Sequence, residues 1–425
     1  MELELSKLAI LLALQAPFLV WLSFRAREAG FFTLFAFAIG LFLYSGLATS
    51  AAIVPLSLLG AYVIFGIAFA TSFAVAHRIA TPISLRLKRI NEPRLERFEN
   101  SGLWKLVLLT YFALLLLKLT YPNFRLLELF SPPVPDIRTW FLARFEEERD
   151  GFIRGVDYGL VLLTPFFYLA LYPLRRNLLA VSIVLFLPLY LDYVYELYIG
   201  RGKILLAILV LGIFVWVVRP ERRRAMLLMG LLLGPWLVVA FSFYASLRLG
   251  VRGGDVTLFG ALSEIFQSEF SFLIRTGLSL IQSGKTANLA SYLAWVVSLP
   301  VPAFFKSGLD VALINYEISQ IVLGSFVGDY GFYVALPGLL AESFYIYGGG
   351  YFWLHALMLG AFAGFLSTLL SRNPRMVGVY AYVVGIFFYT LNRGGVSSTL
   401  PLLVNGFIVF YVYLFFPILA LRRRR

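Results

Sequence analysis

The sequence predicts an all-α fold, a polytopic bundle of about eleven transmembrane helices forming one membrane domain over residues 1–425. Three observations predict it. Hydrophobic residues make up 60% of the 425 positions and charged ones 14%, and the mean hydropathy is +0.84, outside the range of water-soluble domains. Apolar runs long enough to cross a hydrocarbon core of about 30 Å recur from end to end. Basic clusters fall in every second connection, the pattern that orients helices in a bilayer.

The elements follow in order. Spans are read near 6–23, 31–48, 52–76, 103–121, 158–174, 178–197, 204–218, 226–246, 350–370, 378–391 and 401–420. The first follows an acidic Met1–Lys7 stretch with no small-residue cleavage site after it, so it reads as a retained helix. Between spans lie Arg25 and Arg27; a loop with Arg78, Arg86, Lys88, Arg89, Arg94 and Arg97; Arg175 and Arg176; Arg219 with Arg222 to Arg224; Arg372 and Arg375; and Arg422 to Arg425. All fall on one side of the eleven-helix reading. The positive-inside rule puts that side, with the C-terminus, in the cytoplasm. Of the acidic residues only Glu28, Glu92, Glu96, Glu99 and Glu221 share it.

Two outer segments are long, 122–157 and 248–349, and long loops on a rigid scaffold commonly carry function. They are read as a cap over the site. In the first, Ser131-Pro132-Pro133-Val134-Pro135 leads to Asp136 as N-cap of an interfacial helix that stops at Gly151, with Ile137, Trp140, Phe141 and Phe145 on its apolar face. In the second, 259–281 places Glu264, Ser268, Ser271 and Arg275 on one helical stripe. Tyr292–Leu299 is apolar but too short to span, and reads as a segment that dips into the membrane and returns.

Several function classes are excluded or disfavoured by composition. Cysteine is absent, which removes disulfides and thiolate chemistry. Two histidines and no carboxylates at ligand spacing speak against a protein-held metal. Neither a Walker loop nor a dinucleotide fingerprint is present, so no cofactor is expected. The net charge of +13 is distributed as topology signal and lipid-headgroup contact, and no nucleic-acid partner is expected.

Outer basic residues are the first site candidates: Arg201 and Lys203 in Gly200-Arg201-Gly202-Lys203, Arg248 and Arg252, Arg275, and Arg393 in Asn392-Arg393-Gly394-Gly395. Most sit beside glycine, which admits a bulky phosphate, and guanidinium matches phosphate oxygens in charge and geometry. Each of them can equally be an arginine snorkelling to the interface or pairing with an acid such as Asp192 or Glu196. Glu342 lies in an apolar run at Leu336–Tyr345, a depth at which an ionisable group is a functional candidate; the alternative is a structural pairing with an outer arginine. Glu317 and Asp329 read as solvated loop, His355 as helix packing and His77 as cytoplasmic surface. Tyr345, Tyr347 and Trp295 have faces suited to sugar rings, although aromatics are so abundant here that packing explains each.

The order of these features resembles the Wzy-type oligosaccharide repeat-unit polymerases, the O-antigen polymerases of bacterial envelopes. The similar parts are Gly200-Arg201-Gly202-Lys203 opening a span, the long outer loop with Gly324-Ser325-Phe326, Leu336-Pro337-Gly338, Ala341-Glu342 and Tyr347-Gly348-Gly349-Gly350, and Arg393-Gly394 before the last span. The likeness covers 200–420 in pattern and the N-terminal half in topology alone. It implies a GT-C-like, metal-independent, inverting glycosyltransferase of the bacterial inner membrane, working on the periplasmic face with undecaprenyl-diphosphate-linked oligosaccharides as donor and acceptor. Membrane lipids and a chain-length regulator protein are the further partners it implies. Arg201, Arg393 and either Arg252 or Arg275 match positions where the family keeps basic residues for the diphosphate, and Glu342 would be the base. Rival readings are an O-antigen ligase, a lipid-linked oligosaccharide flippase or other transporter, and a non-catalytic scaffold.

Overall fold

The computed structural model describes residues 4–28, 30–121, 123–133, 151–248, 260, 272–301, 314–326, 329 and 334–422. Among them every regular element is helical. Among the described residues eight helices are long and apolar enough to cross a membrane, so this is a helical protein of membrane type. The chain forms two compact units, one of residues 1–97 with 270–425 and the other of residues 98–269.

In the first unit, α1 (Leu5–Arg25) and α2 (Phe31–Leu41) come first. A π-helical turn, Phe42–Gly46, carries α2 on to Thr49. Helix α3 (Leu56–Asn100) is 45 residues long, about 68 Å at 1.5 Å per residue. It therefore continues straight through the basic stretch read as a loop over 77–102. The reason is a second buried stripe, mostly apolar: Ala80, Ser84, Leu87, Asn91, Leu95 and Phe98 are buried at steps of three and four, while the arginines occupy the other faces. Asn91 and Arg94 donate from this stretch to the carbonyls of Leu414 and Tyr413 at 3.0 and 2.7 Å.

Unit 2 holds α4 (Leu103–Lys118), α5 (Gly151–Leu169), α6 (Leu178–Glu196), α7 (Arg201–Val218) and α8 (Arg223–Arg248). Leu115, Leu119, Val156, Leu160, Leu191 and Val194 form its core. Gly151, expected to end a helix, is helical and is the first described residue of α5. The helix expected from Asp136 lies outside the described residues.

The remaining elements belong to unit 1: α9 (Phe272–Gln282), α10 (Leu289–Ser298), α11 (Ile314–Leu323), α12 (Leu339–Ser371), α13 (Val377–Gly385), a second π turn (Ile386–Thr390), α14 (Leu391–Val404) and α15 (Ile408–Arg422). Helix α12 is not straight. Gly348 has φ 72° and ψ 170°, and around it Phe344 and Phe352 stack at 4.6 Å. Ser343 Oγ likewise lies 2.8 Å from His355 Nδ1. Twelve residues of uninterrupted helix would hold that last pair about 18 Å apart, so the chain doubles back at Gly348. Gly395 (φ 67°, ψ −161°) does the same in α14: Tyr382 and Phe407, on either side of it, stack at 6.2 Å. Only glycine takes up such dihedrals cheaply.

Candidate functional site

Glu342 is held where the two reversals meet. It stands in the first turn of α12, behind Gly338 at φ 78°, and is 1% exposed. Its carboxylate accepts from the backbone N–H of Val396 at 2.6 Å (Oε2), from that of Ser397 at 3.3 Å and from the Ser397 hydroxyl at 3.1 Å (both Oε1). Those N–H groups open the half-helix that leaves Gly395. A helix start has unsatisfied donors and a positive dipole end, and a carboxylate answers both. Glu342 thus caps this half-helix across 54 residues of sequence; the partner anticipated for it from sequence was an arginine.

Gly395 makes that cap possible. Any Cβ there would overlap the Glu342 carboxylate. Upstream, Asn392 donates through Nδ2 to the carbonyls of Phe387 and Phe388 at 2.8 and 3.0 Å, both inside the π turn. Gly40 of α2 packs so closely on this point that a methyl would collide with the Phe388 carbonyl.

Arg393 sits between Asn392 and the Gly394-Gly395 pair, with its guanidinium 5.8 Å from the centroid of the Tyr389 ring. Tyr389 meets Tyr44 edge to face at 6.0 Å, so the side chains of both π turns face one another. Tyr44 also lines an apolar crevice with Val54, Ile274, Leu278, Pro337 and Ala341. Helix α9, which carries exposed Arg275, comes so near that a Cβ on Gly277 would lie 2.9 Å from the Pro337 carbonyl.

A second buried chain of hydrogen bonds fixes the other reversal. Ser343 donates to the Leu339 carbonyl at 2.7 Å, so it accepts from His355 Nδ1. His355 Nε2 then receives the Tyr292 hydroxyl at 3.3 Å. Burial first, and the charge of Glu342 second, push the Tyr292 phenol up from its ordinary value, which keeps it a donor. One imidazole therefore ties α10 to both limbs of the hairpin, consistent with the packing role read for His355. His355→Ala is expected to cost about 2–4 kcal/mol, from two orphaned hydroxyls and a cavity. Thermal unfolding of the purified protein measures it; an unchanged midpoint would show that the chain of bonds carries no stability.

The other predicted residues divide between the units. Tyr345 is 5% exposed, and its hydroxyl donates to Glu317 of α11 at 3.0 Å; the ring is packed inside unit 1, and Glu317 is a helix residue rather than free loop. His77, expected at the surface, is buried and meets Thr368 Oγ1 at 2.7 Å, because α3 and α12 press together at Gly360 and Gly364. In unit 2, Arg201 and Lys203 form the first turn of α7. Lys203 pairs with Asp192 at 3.0 Å and Glu196 at 3.8 Å, and buried Lys118 pairs with Asp157 at 2.8 Å. Asp192 and Glu196 are the partners that the structural reading of the outer basic residues named. Arg248 ends α8, and nothing of its side chain is described; Arg252, Glu264, Ser268 and Ser271 lie outside the described residues. Sequence reading missed the Val396-Ser397 cradle, for which Gly394-Gly395 followed by Val-Ser-Ser was the available signal.

No protein-family model, curated protein or solved structure matches the chain.

Proposed function

We propose that the protein is a multi-spanning membrane glycosyltransferase that polymerises oligosaccharide repeat units carried on undecaprenyl diphosphate. It moves the growing glycan onto the non-reducing end of the incoming unit without a metal, on the periplasmic side of a bacterial inner membrane. The observation that carries the reading is Arg393. A cation stands at a chain reversal whose backbone is immobilised by a buried carboxylate, two glycines and an asparagine. Breaking an anomeric bond builds negative charge on the departing diphosphate, and a prepositioned guanidinium stabilises that charge without reorganising. Arg275 is a second cation of the same unit, and Arg201 is the candidate of unit 2.

The geometry favours Glu342 as the residue that holds this turn rather than as the base. Three donated hydrogen bonds already occupy its two oxygens, and solvent hardly reaches it. The test is incubation of protein in proteoliposomes with one lipid-linked repeat unit. A ladder of lengthening products is expected, with Arg393→Ala slowing it at least about 100-fold, the scale seen when one transition-state donor is removed. Product formed only when lipid A core is supplied would point to a ligase; a normal ladder from Arg393→Ala would remove the diphosphate role.

A transporter is the second reading, favoured by the interrupted helices at Gly348 and Gly395, since broken helices commonly frame transport sites. Translocation of a fluorescent lipid-linked oligosaccharide across sealed vesicles with no change in its length would select it.

A further inference from the structure

The opposite end of unit 1 brings together two connections that are distant in sequence, 25–30 and 371–373, beside His77 of α3. Gly30, at φ 99°, opens α2, and the Tyr380 hydroxyl accepts from the backbone N–H groups of Gly30 and Thr33; a Cβ on Gly30 would lie 3.1 Å from the His77 ring and 3.5 Å from Ser371 Oγ. The Arg25 guanidinium lies 4.9 Å from the Phe31 ring centroid and pairs through Nη1 with Glu28 at 2.5 Å. Arg372, next to Ser371, has no ion pair among the described residues. Five atoms in these connections and the last turn of α12 are buried without a hydrogen-bond partner: Arg25 Nε, Arg372 Nε, Ser367 Oγ, Ser371 Oγ and Asn373 Nδ2. Ser367 is 0% and Asn373 2% exposed.

All five can donate. A buried donor left unpaired costs about 1–3 kcal/mol, so a cluster of donors, two of them on guanidinium groups, calls for an acceptor with several oxygens and negative charge. Phosphate is that acceptor. Its depth says which phosphate. From Gly349 to Ser371 the straight limb of α12 runs about 34 Å at 1.5 Å per residue, against a hydrocarbon core of about 30 Å. The cluster therefore lies one membrane thickness from the Gly348 reversal, at headgroup level, where basic pockets between helices collect anionic lipids.

We infer that Arg25, Ser371 and Arg372 form a binding site for the phosphate of an anionic phospholipid headgroup, separate from the Glu342 and Arg393 turn and independent of the glycosyltransferase reading. Glu28 holds Arg25 in place through its own pairing.

The test uses full-length protein in nanodiscs of phosphatidylcholine with and without phosphatidylglycerol, followed by native mass spectrometry for retained lipid and by the unfolding midpoint. Phosphatidylglycerol is expected to be retained and to raise the midpoint. Arg372→Gln is expected to lower its retention at least tenfold, and Ser371→Ala to lower it several-fold. Arg27→Gln, an exposed charge nearby, should leave retention unchanged. Arg372→Lys keeps the charge without the Nε donor and is expected to retain an intermediate amount, which keeps the test open if the glutamine variant does not fold. Equal retention by all variants, or equal loss in Arg27→Gln, overturns the site. Inorganic phosphate in pure phosphatidylcholine discs, if it stabilises as much as phosphatidylglycerol does, overturns the lipid assignment.

Discussion

Gly395→Ala is expected to prevent accumulation of folded protein. The added Cβ would overlap both oxygens and Cδ of Glu342, and the carboxylate cannot retreat because it is anchored by three hydrogen bonds. The backbone at φ 67° adds its own penalty of roughly 1 kcal/mol or more for a residue with a side chain. Together with the lost cap, the cost is about 5 kcal/mol or more, in the range where single substitutions unfold a protein. Size-exclusion profiles of detergent-extracted protein measure it. A monodisperse variant with wild-type yield would mean that the half-helix can move away from Glu342, and the account of the turn would fail.

The second large effect is at Glu342 itself. Glu342→Ala strands the N–H groups of Val396 and Ser397 in a buried site, at about 1–3 kcal/mol each, and removes a charge from a helix start. A loss of about 3–5 kcal/mol is expected. Glu342→Gln keeps the volume and one good acceptor, but its amide nitrogen turns a donor toward a donor, so about 1–3 kcal/mol is expected. Scanning fluorimetry in detergent ranks the two. Under the capping role the glutamine variant extends glycans in proportion to its folded fraction. A folded but inactive glutamine variant would instead make the carboxylate a participant in proton transfer.

The helical membrane character was fully legible, because it depends on composition and on runs of apolar residues that no tertiary detail overrides. The continuity of α3 was legible too, but was not read: the steps from Ala80 to Phe98 are helical, and the dense arginines around them disguised the stripe as a loop. Gly348 and Gly395 were visible as glycine-rich punctuation. That they reverse the chain was not, since glycine permits positive φ without requiring it. The apolar neighbourhood of Glu342 pointed to that residue as special. Its partners lie 54 residues away on backbone atoms, and backbone donors leave no mark in a sequence. Lys203 is the converse case, where the nearby acids Asp192 and Glu196 were in plain sight.

The π turn at Ile386–Thr390 gives this segment a tolerance of length that ordinary helix lacks. Such a turn absorbs one residue more than ordinary helix does. Deleting a single residue from it would leave a well-bonded helix with the segments on either side still in register. A deletion in the ordinary helix just before it, Val377–Gly385, would instead swing everything downstream by about 100° around the axis, since 3.6 residues complete a turn, and Gly395 would face away from Glu342. Single-codon deletions across 386–390 should therefore be far less harmful than deletions across 377–385, a difference that a deep mutational scan including indels would register directly.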